Sequence, residues 1–305
     1  MNAKADRPRI SFVAHEAYWL RKLAYFGARY GSASFVKHGP VAIGALVSRV
    51  LPGFRRIVKQ NLRRIHGRRS LWQEERDLTQ TFIDYACCLS ESLGFERIDP
   101  KDVVYRVVGR GALDDALLQA TGFIVVTAHV GAWDSAAKHL YEETGRSVMV
   151  VMTRESNIAS RRFHDSIRQR PGVEIAHVGK NAFEGLVLLK HLRAGGIIAV
   201  QLDRMSNASR SLQVRLFNQN FDVPQGPFRL ASLAAVPIIP IFCARTGHFE
   251  YEIHVNSPIR LDRRPSVAQL REAAQCVTTA LEEFLRRYPT QWFRFGVADP
   301  NPDLP

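Results

Sequence analysis

Cysteine is scarce in this chain, and the four that occur, Cys87, Cys88, Cys243 and Cys276, show no C-x-x-C spacing. A disulfide framework and a cysteine-rich zinc site are not expected, and all four read as reduced thiols. Residues 1–9 are polar and lack the apolar core and small-residue cleavage site of a secretory signal, so export by that route is not expected. The apolar segment 10–51 is interrupted by Lys37, His38, Pro40 and Arg49. Its uncharged run falls short of the roughly 20 residues that span a bilayer. A glycine-rich phosphate fingerprint is also missing: Gly195-Gly196 follows a helical pattern and reads as its stop.

Acidic residues are nearly missing from the first quarter. Residues 1–72 hold 15 Lys or Arg against 2 Asp or Glu, whereas the remainder holds 27 of each, so the whole formal charge of +13 sits in that segment. A neutral body with a basic arm differs from a uniformly basic nucleic-acid binder, and no nucleic-acid motif accompanies the charge. Aromatic residues interleave with Arg and Lys over 10–52, and Arg55, Arg56, Lys59, Arg63, Arg64, Arg68 and Arg69 extend the basic surface. Two readings fit. One is an amphipathic arm lying on an anionic membrane; the other is a helical hairpin packed on the body with a solvated charged face.

With 46% apolar residues the remainder can bury a sizeable core. Helical spacing predicts helices over 72–93, 114–120, 158–167 and 182–193, and another starting near Asp134. Apolar, β-branched or alternating runs predict strands over 102–109, 124–127, 147–152, 173–178 and 197–202. Strands alternating with helices imply an α/β fold: a single domain, 53–305, with a central twisted, mostly parallel sheet flanked by helices, preceded by a basic amphipathic helical arm over 1–52.

The chemistry concentrates in 122–136, where a buried strand runs through a small-residue bend into a helix. His129 and Asp134 stand on either side of that bend. Five positions apart, they could not share a helix face, since that spacing turns through roughly 140°. A tight bend over Gly131-Ala132 would bring the carboxylate back to the imidazole, giving a general base and its orienter. The plainer reading is a strand-end histidine followed by a helix-capping aspartate. Context favours the first, because Arg154, Asp203 and Arg204 also stand where strands end, and ligands of open α/β sheets bind at those ends. His139 and His164 complete no ligand set with His129 and Asp134, so no metal is expected. Trp133 is expected to pack under the site, and the other histidines have no partner that the sequence discloses.

From these residues the chain resembles a bacterial lipid A biosynthesis (late) acyltransferase of the lysophospholipid acyltransferase superfamily, and it is also similar to phosphatidylinositol mannoside acyltransferases. Segment 122–134 is similar to the family's strand and His-x-x-x-x-Asp/Glu block. Arg154 with Asn157 resembles Arg-Pro-x-Asn, with Glu155 in place of the proline; 167–172 resembles Ile-Arg-x-Arg-x-Gly, and 201–204 the Asp-Gln or Asp-Arg block. The stretches 214–218, 223–231, 236–245 and 288–292 complete the series in the family's order. The Asp-Arg form looks closer to the mannoside enzymes, and the transmembrane helix common at the start of lipid A enzymes is not found.

The resemblance implies transfer of an acyl chain from a thioester, on acyl carrier protein or coenzyme A, to a hydroxyl of a membrane glycolipid, most readily of lipid A type. His129 would be the base, Asp134 its orienter and Arg168 the oxyanion partner. Arg154, Asp203 and Arg204 would bind substrate, the arginines on phosphate and Asp203 orienting one of them. Beyond the thioester co-substrate no cofactor is implied. The implied setting is the cytoplasmic face of the bacterial inner membrane, peripheral or monotopic, against anionic lipid and not nucleic acid. The alternatives are acylation of a phosphatidylinositol mannoside or another membrane lipid, implied by the same resemblance, and, from the residues alone, a non-catalytic membrane- or nucleic-acid-binding protein in which His129 is structural.

Overall fold

A computed structural model describes residues 22, 24–153, 165, 171–179, 182–205 and 210–296. Arg154, Asn157, Arg168 and the helix expected over 158–167 lie outside the described residues, Asp165 excepted.

The body is a seven-stranded sheet in the order β1-β9-β8-β2-β5-β3-β4. Its strands are β1 (Val104–Val108), β2 (Phe123–Thr127), β3 (Val148–Thr153), β4 (Val173–Val178), β5 (Ile197–Gln201), β8 (Ile238–Gly247) and β9 (Glu250–Val255). Five run parallel, β8, β2, β5, β3 and β4. β9 folds back antiparallel on β8, and β1 lies parallel to β9 at the sheet's edge, so these two strands run the other way. A hairpin of β6 (Ser211–Leu216) and β7 (Gln219–Pro224) forms a second, two-stranded sheet.

β2 is central because its sequence is apolar on both faces: Phe123, Ile124 and Val126 are wholly buried and Val125 nearly so. Such a strand is stable only when both faces are covered. On one face Phe123, Val125, Ile197 and Ile241 meet α4 (Arg110–Leu117) and α5 (Trp133–Thr144). On the other, Ile124, Val126, Ile198 and Ile238 meet α6 (Ala182–Arg193), α7 (Gly226–Ala234), α8 (Val267–Arg287) and the hairpin.

The N-terminal helices form their own layer. α1 (Ala33–Val50) lies along α3 (Leu71–Gly94), and α2 (Pro52–His66) braces both through Val58, Leu62, Leu78 and Phe82. The approach of α1 to α3 is close at Gly44, where an added Cβ would fall 2.7 Å from Ile83 Cα and 2.8 Å from the Phe82 carbonyl. Much of the basic cluster is consumed here. Lys59 and Arg63 pair with Glu74 at 2.9 and 2.8 Å, Arg55 pairs with Glu75 and Arg69 with Asp77. Arg64 is buried against the hairpin, on Gln219 and over the Phe221 ring. Arg56 and Arg68 stay exposed. Among the described residues no helix is long and apolar enough to cross a membrane.

Candidate active site

The neighbouring strands β2 and β5 pair in register, Thr127 opposite Gln201, so the loops that leave their ends emerge side by side. His129 lies two residues beyond β2 and Asp203 two beyond β5. Ala128 and Val130 are wholly buried and fix the backbone on either side of His129, which is one-fifth exposed.

The carboxylate that holds His129 is that of Asp203, 74 positions away. His129 Nδ1 lies 2.7 Å from Asp203 Oδ1, and the His129 backbone N–H donates to the same oxygen at 3.0 Å. Trp292 Nε1–H donates to Oδ2 at 3.1 Å. Since a carboxylate only accepts, Nδ1 carries the proton and the neutral ring has its lone pair on Nε2. Burial by itself would raise the Asp203 pKa, but the His129, Arg204 and Trp292 interactions outweigh it and hold the carboxyl well below the usual carboxylate range. The site therefore keeps a buried anion under an imidazole, the arrangement that stabilises an imidazolium when the ring takes a proton.

The orienting role that the sequence reading gave to Asp134 is thus met at Nδ1 by Asp203. Asp134 lies in the first turn of α5, whose N-cap Ala132 has no capping side chain, and it faces a shallow pocket with Ser92, Lys138 and Val150. Arg204, expected to bind substrate, donates to the Phe293 carbonyl at 2.8 Å, and Arg294 Nε donates to the Asp203 carbonyl at 2.9 Å. Trp133 packs edge-on to the imidazole, ring centroids 6.2 Å apart.

A segment near the C-terminal end, 288–293, straps the His129 bend in place. Val130 and Trp292 form an antiparallel bridge, Phe293 N–H donates to the His129 carbonyl at 2.7 Å and Gly131 N–H to the Gln291 carbonyl at 2.9 Å. The Gln291 carboxamide in turn bridges both backbone groups of Arg245, at 2.9 and 2.8 Å. Gly131 is forced by this crowding: its φ is +46°, and a Cβ would fall 2.1 Å from the Cys243 carbonyl. Arg245 and the Tyr251 hydroxyl both meet the buried carboxylate of Glu91 at 2.8 Å, tying α3 to the sheet beneath the strap. Trp292 and Gln291 were not singled out from chemistry; the only signal for them was the resemblance of 288–292.

Beside the site an apolar groove, about 810 Å³ of empty space when the solvent at its open side is included, runs between α5 and the sheet. Thr127, Gln201 and Trp133 mark its end near His129; Val125, Ala199 and Leu140 line its wall. Its far end meets the Arg110–Glu143 ion pair and His139, which stacks on Tyr105 at 4.0 Å. Burial pushes the His139 pKa down. Among the described residues no three His, Cys, Asp or Glu side chains gather as a metal site.

The site is thus a histidine on a buried carboxylate at the carboxyl edge of a parallel sheet, beside a hydrocarbon-lined groove, the architecture of an α/β enzyme with room for an apolar chain. The chain belongs to the bacterial lipid A biosynthesis acyltransferase family, whose model matches residues 5–296. It is thus an acyl-transferring enzyme of the lipid A type, and membership implies a lipid acceptor and an acyl thioester donor. No curated protein matches the chain.

Proposed function

We propose that the protein moves a fatty acyl chain from the thioester of acyl carrier protein or coenzyme A to a hydroxyl of a membrane glycolipid of lipid A type, with His129 as general base. The observation that carries this reading is the Asp203 carboxylate on His129 Nδ1, with Trp133 packed on that imidazole and lining the apolar groove. The acceptor oxygen attacks the thioester carbon as Nε2 takes its proton, forming the C–O bond and moving the carbonyl pair onto oxygen. Collapse restores the carbonyl and breaks the C–S bond, and the imidazolium returns the proton to the leaving thiolate. Asp203 stabilises the imidazolium throughout without itself being protonated.

Arg168 is proposed as the cation beside the oxyanion and Arg154 as a phosphate ligand, both on the resemblance alone. Asp134, at the start of α5, adds negative charge that favours the imidazolium. The acyl chain lies in the groove. The protein rests on the cytoplasmic face of the inner membrane through α1, which exposes Phe35, Val41, Ile43, Leu46 and Val50 beside Arg49.

Mass spectrometry of total membrane lipids from cells with the protein, without it and with His129→Ala tests the proposal. A glycolipid one acyl chain heavier is expected only with the unaltered protein, and its headgroup names the acceptor. The same species persisting with His129→Ala would remove His129 as base.

A further inference from the structure

Gln201 ends β5 opposite Thr127, and strand alternation turns its side chain to the same face as Ile197 and Ala199, the groove side. Its carboxamide nitrogen is buried and has no hydrogen-bond partner among the described residues. Folded proteins rarely leave a buried donor unmade, because the group has lost its water and gained nothing. An amide aimed into a hydrocarbon-lined groove is explained when the groove's occupant brings an acceptor to that point.

The position says which acceptor. Gln201 stands at the end of the groove nearest His129. It is two residues from Asp203, and its strand partner Thr127 is two from His129, about 7 Å of extended chain in each case. An acyl chain filling the groove with its reactive carbon toward His129 has one polar atom at that depth, the carbonyl oxygen. We propose that Gln201 is a catalytic residue whose side-chain N–H donates to the thioester carbonyl and to the oxyanion it becomes. This rests on the acyl-transfer reading of the groove. Gln201 stays neutral and exchanges no proton; it only stabilises charge that develops on oxygen, where an acyl chain filling the groove would displace water and such a bond counts most. Being formed by the strand that also delivers Asp203, the donor is held in register with the base.

The test uses the full chain with dodecanoyl-pantetheine, whose pantetheine arm is common to both thioester donors, and S-dodecyl-pantetheine, the thioether that lacks the carbonyl. Octyl and hexadecyl pairs guard against a mismatch of length. With Gln201→Leu, thiol release in the presence of total membrane lipid is expected to fall roughly 100- to 1,000-fold. Thioether affinity is expected to be unchanged, and the melting temperature unchanged or raised, since an unpaired buried amide has been removed. Gln201→Met, of similar volume, serves should the leucine variant fold poorly. An unchanged rate overturns the proposal, as does thioether affinity falling in step with the rate, which would make Gln201 a groove-shaping residue; in both cases the acyl-transfer reading stands. If the unaltered protein binds no thioester or thioether of any length and releases no thiol, that reading fails and the proposal with it.

Discussion

Asp203 gives His129 a tautomer, an orientation and a counter-charge through one oxygen, while Trp292 holds the other. Asp203→Asn keeps the shape but presents a donor to Nδ1, so kcat is expected to fall about 1,000- to 10,000-fold with little change in fold. Asp134→Asn should cost far less; equal losses in side-by-side kinetics would return the orienting role to Asp134. The same carboxylate sets an acid limit. Its folded pKa lies below the unfolded value of about 3.9, so its stabilisation is complete above that pH and is lost as pH falls below it. Urea unfolding at a series of pH values should show the loss, and it should be shallower in Asp203→Asn. His129 was legible from its place after a buried strand, and Asp203 from its place after another. Their partnership was not, since it depends on β2 and β5 being neighbours in register, which local spacing does not disclose.

Elements with strong local signals were readable: the strand 173–178 and the helix 182–193 appear with those bounds, and the long helix over 72–93 appears as α3. The helix expected from 114 begins at Arg110, because Gly109 takes φ +81° and starts it a turn earlier. The β6–β7 hairpin went unread because its turn uses Phe217 and Asn218, both left-handed at φ 53° and 59°, in place of an Asn-Gly signal. The strap 288–293 was visible only through the resemblance of 288–292, for a different reason: its hold on the His129 bend is through backbone bonds, and the partners of the Gln291 and Trp292 side chains lie far off in sequence. Gly131→Ala tests it at this scale. With no room for the Cβ, the bend must leave either β8 or Gln291, at a cost of at least about 2 kcal/mol, read by thermal unfolding, together with loss of most activity.

Across the whole molecule, the charge count and the charge available to a partner differ. The basic quarter stops just short of Glu74, Glu75 and Asp77, which neutralise Lys59, Arg63, Arg55 and Arg69 when α2 packs on α3. The described part of the arm is thus a packed hairpin that leaves an apolar stripe on α1, the stripe that the proposed membrane contact would use. Leu46→Asp is expected to weaken binding to anionic vesicles in a sedimentation assay. Replacing Arg56 and Arg68 should weaken it by about 1 kcal/mol per charge and more so at low salt. Neutralising Arg63 should instead lower the melting temperature, because it leaves Glu74 underpaired.

The strap also orders events in time. A chain emerging from the ribosome makes every strand of the sheet and the helices α1 to α8 before it makes residues 289–293, and domains begin to fold from the N-terminal side as they appear. A nascent sheet can thus be complete while the His129 bend is still unclamped and Asp203 lacks the Trp292 bond. Until residues 291–293 dock, the groove is present but the His129 bend lacks its backbone clamp and Asp203 lacks its indole partner.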